Sequence, residues 1–382
     1  MSIRARVRAD ACPGVFATHD AADGPLARVR LPGGVVTPAQ LRALADAATE
    51  CGDGDVHLTS RGNVQLRAVT RPGLETRLSE AGLLPSLTHE RVRNILASPW
   101  SGISGGLADV RGLAAALDDA VCARPGLASL PGRFLFAFDD GRGDVAGEAP
   151  DVCWITVGAE EGAVLLAGED TGVRVSRESA VDALVALAAA FAETRGTAWR
   201  VGELDDPSAL LPALDFGTRV APTSWQGTPD DRIGPVPGND GDATGVAPRF
   251  GQLSAAQLRL LADVADNAVV TPWRTIVLPG VGASAREALA GAGFLTDPAD
   301  PRRRVSACIG RPGCAKSRAD VRADAVRLPG DLPAHVSGCE RRCGKPSRSH
   351  LDVVAAEDGY RVDGTWVPVE QLGEMAVRKG NT

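Results

Sequence analysis

Four of the eight cysteines, Cys308, Cys314, Cys339 and Cys343, lie within the stretch "ACIGRPGCAKSRADVRADAVRLPGDLPAHVSGCERRCGKPSR". Their order is C-x5-C, 24 intervening residues, then C-x3-C. Structural zinc takes close pairs spaced C-x2-C to C-x4-C, because two thiolates must meet one small ion. Five intervening residues fit that poorly. An iron–sulfur cubane is larger, presents four iron corners that each want a thiolate, and accepts wider ligand loops. Gly310, Gly313, Gly338 and Gly344 let the backbone bend closely around such a body and turn N–H groups toward its sulfides. The spacing favours [4Fe–4S]; zinc, or four unrelated buried thiols, are the alternatives. Cys12, Cys51, Cys122 and Cys153 are isolated along the chain and read as structural.

The thiols sit in a basic field. Residues 301–348 hold twelve Lys and Arg against four Asp and Glu, a local charge of +8, whereas the remainder carries −15 and the whole chain −7. A nucleic-acid binder spreads positive charge over a face and raises the charge of its whole domain. Localised cations beside an apolar wall suit a compact anion, because partial desolvation strengthens each Coulomb interaction. No nucleic-acid partner is expected. No apolar run approaches the roughly 20 residues of a membrane helix, and the start "MSIRARVRADACPG" lacks the apolar segment of an export signal. The expectation is a cytoplasmic protein with no membrane partner, in a compartment where paired thiols bind metal more often than they form disulfides.

The elements that must position these residues come from a repeat. "GVVTPAQLRALADAATECGDGDVHLTSRGNVQL" (34–66) aligns with "GQLSAAQLRLLADVADNAVVTPWRTIVL" (251–278). Gln40-Leu41-Arg42 falls on Gln257-Leu258-Arg259, and Leu44-Ala45-Asp46 on Leu261-Ala262-Asp263. Each copy reads as a turn, a helix opened by a capping residue (Thr37 before Pro38; Ser254), then an extended strand. Residues 80–102 continue the match onto 291–313 without gaps, placing Ala97 where the second copy has Cys308, and "LPGRF" (130–134) more weakly resembles "LPAHV" (332–336). Two α/β units in pseudo-twofold arrangement follow, only the second with the cysteines. The expected divisions are 1–80, 81–220, a Gly/Pro/Asp-rich linker at 221–247, 248–298 and 299–382. The stretch 139–150, "DDGRGDVAGEAP", reads as a surface loop, and a helix is expected over about 177–195.

With these residues in view, C-x5-C … HVSGC-x3-C resembles the cysteine pattern of the sulfite and nitrite reductase superfamily. The resemblance runs through "TSRGNVQL", "RVRNILASPWSG" and "LPGRF" and covers nearly the whole chain. It implies an α+β, duplicated nitrite/sulfite reductase fold: two ferredoxin-like half-domains (1–80 and 248–298) and two core lobes (81–220 and 299–382). It also implies that Cys308, Cys314, Cys339 and Cys343 hold a [4Fe–4S] cluster, Cys343 standing where the family bridges to sirohaem iron. Reductases of the superfamily cage a small oxyanion with cations. That pattern falls on Arg61, Arg93 and Arg133, while the last lysine of the family's L-P-R-K-F-K is Leu135 here. Losing one cation weakens a cage for a dianion by several kcal/mol.

The opening "ACPGVFATHDAADGPLARVRLPGG", with "TPWRTIVLPG" and "HVSGCERRCGKP", resembles one branch of the superfamily, the precorrin-3B synthases of aerobic cobalamin formation. The branch implies an iron–sulfur monooxygenase that uses O2 to hydroxylate the tetrapyrrole precorrin-3A at C20 and close a γ-lactone. Electrons would come from reduced nicotinamide through a reductase, since no G-x-G-x-x-G context appears in this chain. A mononuclear non-haem iron is implied beside the cluster. Such iron wants two His and a carboxylate, and the five histidines (His19, His57, His89, His335, His350) show no such spacing; His335 reads as a structural imidazole. A polycarboxylate ring needs several fixed cations, for which Arg's planar fork is suited. The candidates are Arg61, Arg93, Arg133, Arg274, Lys316, Lys345 and Arg348, with Asn63, Gln65 and Asn94 as neutral donors. A sirohaem-dependent sulfite or nitrite reductase is the alternative reading, and a non-catalytic zinc- or cluster-stabilised binding protein the third.

Overall fold

The computed structural model describes Asp10, residues 12–346 and residues 349–380. Four sheets organise it. In the first half-domain the order is His19–Ala21, Gly24–Val29, Val64–Leu66, Asp55–Leu58 and Gln252–Ser254. In the second it is Gly234–Pro237, Asp242–Val246, Ile276–Pro279, Ala268–Val270 and Val35–Val36. Each sheet therefore ends on a strand donated by the other repeat. Leu253 pairs with Val56, and Val36 with Ala268, both antiparallel.

The helices that follow the exchanged strands, Pro38–Cys51 and Ala255–Val264, pack on each other within one apolar core that includes Leu41, Leu44, Leu258 and Leu261. Both begin with a capping box: Thr37 with Gln40, Ser254 with Gln257. The same glutamines reach onward, Gln40 Nε2 to the Ala81 carbonyl (3.3 Å) and Gln257 Nε2 to that of Ala292 (3.0 Å). Arg42 pairs with Asp263 and Arg259 with Asp46, each at 2.7 Å. Residue i meeting j while j's counterpart meets i's is what a two-fold axis produces. These pairs are exposed, so each adds at most about 1 kcal/mol; they report the symmetry more than they hold it.

What holds the exchange is close backbone approach. Gly34 has φ 75°, and a Cβ there would lie 2.1 Å from the Val270 carbonyl oxygen. Its counterpart Gly251 also has positive φ (68°). Gly34→Ala is expected to cost about 2–4 kcal/mol, the left-handed penalty plus the clash, read as a lowered urea midpoint with unchanged slope.

The two lobes repeat one plan. Ile95–Ala97, Phe136–Asp139 and Val152–Thr156 run parallel, followed by antiparallel Glu161–Leu166, Glu169–Ser176 and Thr218–Arg219. Val305–Ala307, Ala334–Ser337 and Leu351–Ala356 run parallel, followed by antiparallel Gly359–Val362 and Thr365–Val367. The helix expected near 177–195 is Ala180–Thr194, and its face of Leu184, Leu187, Ala188 and Phe191 packs on the first lobe's sheet.

Two expectations are corrected here. The second half of the linker expected over 221–247 is structured: Gly234–Pro237 and Asp242–Val246 form a hairpin of the second half-domain, while 221–233 has no helix or strand. Pro235 and Pro237 are tolerated because they lie on the sheet's edge strand, where a missing N–H need break no ladder. The loop expected at the surface over 139–150 is mostly interior, with Asp139, Asp140, Asp144, Val145 and Ala146 buried. Asp139 makes this possible by accepting the N–H groups of Gly141, Gly143, Val145 and Ala146, which no ladder satisfies. The third block of the repeat also shifts. Ile95 pairs with Phe136 as Ser306 pairs with His335, so Phe136, three residues beyond the position suggested by "LPGRF", matches His335. None of the eight cysteines is in a disulfide, and among the described residues no helix is long and apolar enough to cross a membrane.

Candidate functional site

Cys308 follows the strand Val305–Ala307, and Cys339 lies two residues beyond Ala334–Ser337. These strands are parallel neighbours, so the first thiol of each pair emerges at the same carboxyl edge, the edge where α/β sheets present their sites. The Cys308 N–H donates to the Val336 carbonyl (3.0 Å), and the Gly338 N–H donates to Cys308 Sγ (3.2 Å). Burial pushes the Cys308 thiol up, the Gly338 and Gly310 N–H groups pull it down, and the charges of Cys343 and Cys314 push it up again. Three of the four sulfurs thus share one field, which metal must compensate if they are to be thiolates. No three of them lie within 4.8 Å of one another. One tetrahedral zinc, with bonds of about 2.3 Å, would hold them at about 3.8 Å. The set is thus wider than a single zinc ion requires.

The polar face of the first half-domain sheet meets this segment. Arg28, His57, Gln65 and Gln252 project from adjacent strands, with Arg67 just past the end of Val64–Leu66; Arg28 and His57 are both in register with Gln65, and His57 with Gln252. Arg67 is held bidentately by Asp23 (2.8 and 2.9 Å) and donates to the Gly313 carbonyl between the first two cysteines. Arg322 donates to the Cys308 carbonyl (3.3 Å), to Gln252 and toward His57 Nδ1 (3.4 Å). Burial lowers Arg322 to about 10 and pushes His57 down, so the imidazole is neutral. These two arginines dock the cysteine segment onto a sheet whose last strand comes from the other repeat.

His335 is a structural imidazole, as its sequence context suggested. Its Nδ1 lies 2.9 Å from Ser306 Oγ and its Nε2 3.2 Å from the Cys343 carbonyl, and burial pushes it down to about 4. His57 is partnered by Arg322, His89 by Ser86, Thr88 and the Arg124 carbonyl, and the His350 ring stands 6.2 Å from that of His335. Among the described residues no histidine joins two other ligands within 4.8 Å. The two-His-one-carboxylate iron face implied by the family resemblance is not assembled by these side chains.

The basic candidates separate into free and committed groups. The Arg61 guanidinium has no acceptor among the described residues, and burial, reinforced by Arg200, lowers it to about 10. Arg133 is exposed and stacks over Trp199 at 5.4 Å. Arg28 donates to Gln65 (2.9 Å); burial lowers it, and Arg133 adds to the depression. Arg200, bound to Asp151 (2.6 Å), joins a chain of neighbouring guanidinia in which Arg61 is repelled by Arg200 and Arg28, and Arg28 by Arg133. Arg274 also lacks a side-chain acceptor among the described residues and is pushed down by burial; it holds φ 60° where the first repeat has Gly62. Such a conformation in a non-glycine residue concentrates at functional sites. Lys316 and Lys345 are exposed beside the cysteines. Arg348 lies outside the described residues.

Arg93 is the correction. Its guanidinium is buried, paired with both Asp118 oxygens (2.7 and 2.6 Å) and bonded to the Leu83 carbonyl (3.2 Å). It ties helix Arg111–Cys122 to the chain before strand Ile95–Ala97 and has no fork left for a ligand. Asn63 and Asn94 are committed likewise. Asn63 bonds Asn94 (3.1 Å) and the Leu31 N–H (2.9 Å), and Asn94 bonds the Gly132 carbonyl (2.9 Å). Gln65 remains half-buried on the polar face. Arg28, Arg67, Arg200 and Arg322 were not among the sequence candidates. The alternation in "LARVR" signals a polar strand face for Arg28; Arg200, in an irregular segment, carries no such signal. Gln65 and Arg67 point the same way about 7 Å apart, so the guanidinium group and the cysteine segment flank one sheet face.

Residues 19–80 match the family described as Nitrite/Sulfite reductase ferredoxin-like half domain. The chain is 28% identical to the precorrin-3B synthase of Sinorhizobium sp, over 93% of this chain and 83% of that protein. It is 26% identical to a ferredoxin–nitrite reductase of Synechococcus elongatus, over 89% and 78%. The solved structure of the Mycobacterium tuberculosis NirA protein superposes with a TM-score of 0.74 at 22% identity, over 92% of this chain and 79% of that one, which establishes the fold. With its exchanged half-domains and repeated lobes, the chain has the fold of the NirA protein, carries a nitrite/sulfite reductase ferredoxin-like half domain over residues 19–80, and is similar to precorrin-3B synthase along nearly its whole length.

Proposed function

We propose that the chain is an O2-dependent monooxygenase of the precorrin-3B synthase type, hydroxylating precorrin-3A at C20 and forming the γ-lactone. The observation that carries the reading is the end-to-end likeness to that enzyme, 28% over 93% of the chain. Cys308, Cys314, Cys339 and Cys343 would hold a [4Fe–4S] cluster, which when bound supplies electrons one at a time, as triplet O2 requires. Those electrons would enter from reduced nicotinamide through a partner reductase.

The residues of this chain bind and orient the substrate. Several side-chain carboxylates of a tetrapyrrole need several fixed cations, and Arg61 and Arg133, which have no acceptor among the described residues, offer two beside the committed Arg28 and Arg200. Arg274 offers a further fork near the cysteines. Each bidentate carboxylate contact fixes direction as well as position, so a set of them sets which edge of the ring faces the oxidising centre. Removing water from this face strengthens every such contact.

A sirohaem-dependent reductase is the second reading, and one observation favours it. Leu135, at the position of the family's second lysine, is buried in an apolar cluster, yet Arg200 stands close enough to Arg61 to lower its pKa and so supplies a cation from elsewhere. The chromophore separates the readings. Protein purified anaerobically is expected to show a broad shoulder near about 400 nm that dithionite bleaches, and to convert precorrin-3A under O2 to a product of hydroxylated, lactonised mass. Intense Soret and long-wavelength bands with sulfite or nitrite turnover would replace this proposal with the second.

A further inference from the structure

The first lobe carries a counterpart of the cysteine loop that the reaction above does not use. Ile95 aligns with Ser306 in the gap-free match of 80–102 to 291–313, and their strand partners are Phe136 and His335. Counting on from those partners, Asp140 falls on Cys339 and Asp144 on Cys343. Where the second lobe has C-x3-C, the first has D-x3-D. Soft thiolates have been replaced by hard carboxylates at corresponding points of the same turn.

Asp139, Asp140 and Asp144 are all fully or almost fully buried, and each places an oxygen within 4.8 Å of the others. Their charges are not balanced. Arg142 pairs with Asp140 (2.8 and 2.7 Å) but is shared with Asp230 (2.9 Å) and the Ser104 carbonyl (3.0 Å). Asp139 is satisfied by four backbone N–H groups, which solvate a carboxylate without neutralising it. Asp144 is 1% exposed; one of its oxygens accepts from Ser98 Oγ (2.6 Å) and the Val145 N–H (2.7 Å), while Oδ2 has no partner. A buried carboxylate oxygen without a donor, beside two more carboxylates, is costly unless a proton or a cation sits there. Burial and the neighbouring Asp139 accordingly push Asp144 up to about 8.

We propose that Asp139, Asp140 and Asp144 form a binding site for a hard divalent cation of the Mg²⁺ or Mn²⁺ kind, with Asp144 Oδ2 as its open ligand. An all-oxygen set suits Mg²⁺, Mn²⁺ and Ca²⁺ and not the soft metals. Three side chains already spending oxygens on other bonds are few for Ca²⁺, which takes six to eight oxygens; Mg²⁺ and its like keep waters and need one or two carboxylates. The bound cation fixes loop 139–147 against segment 225–230, to which Arg142 already ties it through Asp230. The inference stands on the lobe's geometry and does not depend on which reaction the other lobe performs.

The test uses full-length protein with its iron and sulfide counted, freed of loosely held divalent ions by chelation and titrated with Mn²⁺. Loss of the free-ion paramagnetic resonance signal is expected to show one Mn²⁺ taken up per chain, displaced by Mg²⁺ more readily than by Ca²⁺, with a raised melting temperature. Asp144→Asn is expected to abolish uptake and the melting shift while iron and sulfide stay unchanged; Asp109→Asn, at an exposed aspartate elsewhere, keeps both. If wild-type protein takes up no Mn²⁺, a proton serves Asp144 and the proposal is overturned whether or not the variant folds. Preferential uptake of Ca²⁺ overturns the assignment of cation class, and full Mn²⁺ uptake by folded Asp144→Asn overturns the site.

Discussion

Cys308→Ser is expected to empty the second lobe of iron and acid-labile sulfide, taking the content from about four of each per chain to near zero and abolishing the visible absorbance. A serine hydroxyl is a far poorer ligand than a thiolate, and the position allows no substitute. Cys308 is the thiol whose field includes both Cys314 and Cys343 and whose sulfur accepts the Gly338 N–H. The polypeptide should still fold, because the lobe's apolar core of Val305, Val336, Val353 and Tyr360 closes around the sheet without needing the thiols. Far-ultraviolet dichroism is therefore expected to stay unchanged while iron, sulfide and turnover fall together. Cys122→Ser, in helix Arg111–Cys122 of the other lobe, serves as the control and keeps all three. Full iron and sulfide in the Cys308→Ser protein would remove these cysteines from the cluster.

The part of this site that was legible in the sequence was local. Two cysteine pairs with glycines around them specify a turn and a ligand set within one segment, and the repeated QLR and LAD blocks specify paired helices. The strand exchange was not legible. Val35–Val36 and Gln252–Ser254 are two and three residues long, too short to show a period, and their partners lie in the other repeat. The loop at 139–150 misled for a related reason: Asp and Gly read as solvent-facing turn residues, whereas Asp139 uses its carboxylate to replace the backbone bonds that burial takes away. Spacing could not show that Arg93 meets Asp118, because that pair depends on how a helix docks 25 residues later. Arg28 and Arg200 came into the site only through folding, one from an edge hairpin and one from an irregular segment.

Arg61 and Arg93 look equivalent as motif residues, and the structure separates them by consequence. Arg61→Ala removes a half-buried guanidinium, lowered and without an acceptor among the described residues, from a cluster of like charges. Stability should be unchanged or slightly raised, because repulsion with Arg28 and Arg200 is relieved. Its loss should be felt only when an anionic ligand arrives: kcat/KM is expected to fall about 100-fold or more, the scale of a desolvated charge-assisted contact worth about 3 kcal/mol. Arg61→Lys should recover part of that, since the charge returns without the planar fork. Arg93→Ala should do the reverse. It leaves Asp118 facing the place of a lost buried partner, and breaking such a pair costs about 3–5 kcal/mol. Urea unfolding is thus expected to shift to a much lower midpoint, while kcat/KM per folded molecule stays near wild type. Replacing both partners together, Arg93→Met with Asp118→Leu, should restore most of the stability, because no uncompensated charge remains. An Arg93→Ala protein with full stability and lost turnover would return Arg93 to the anion cage and mean that its bond to Asp118 opens when substrate binds.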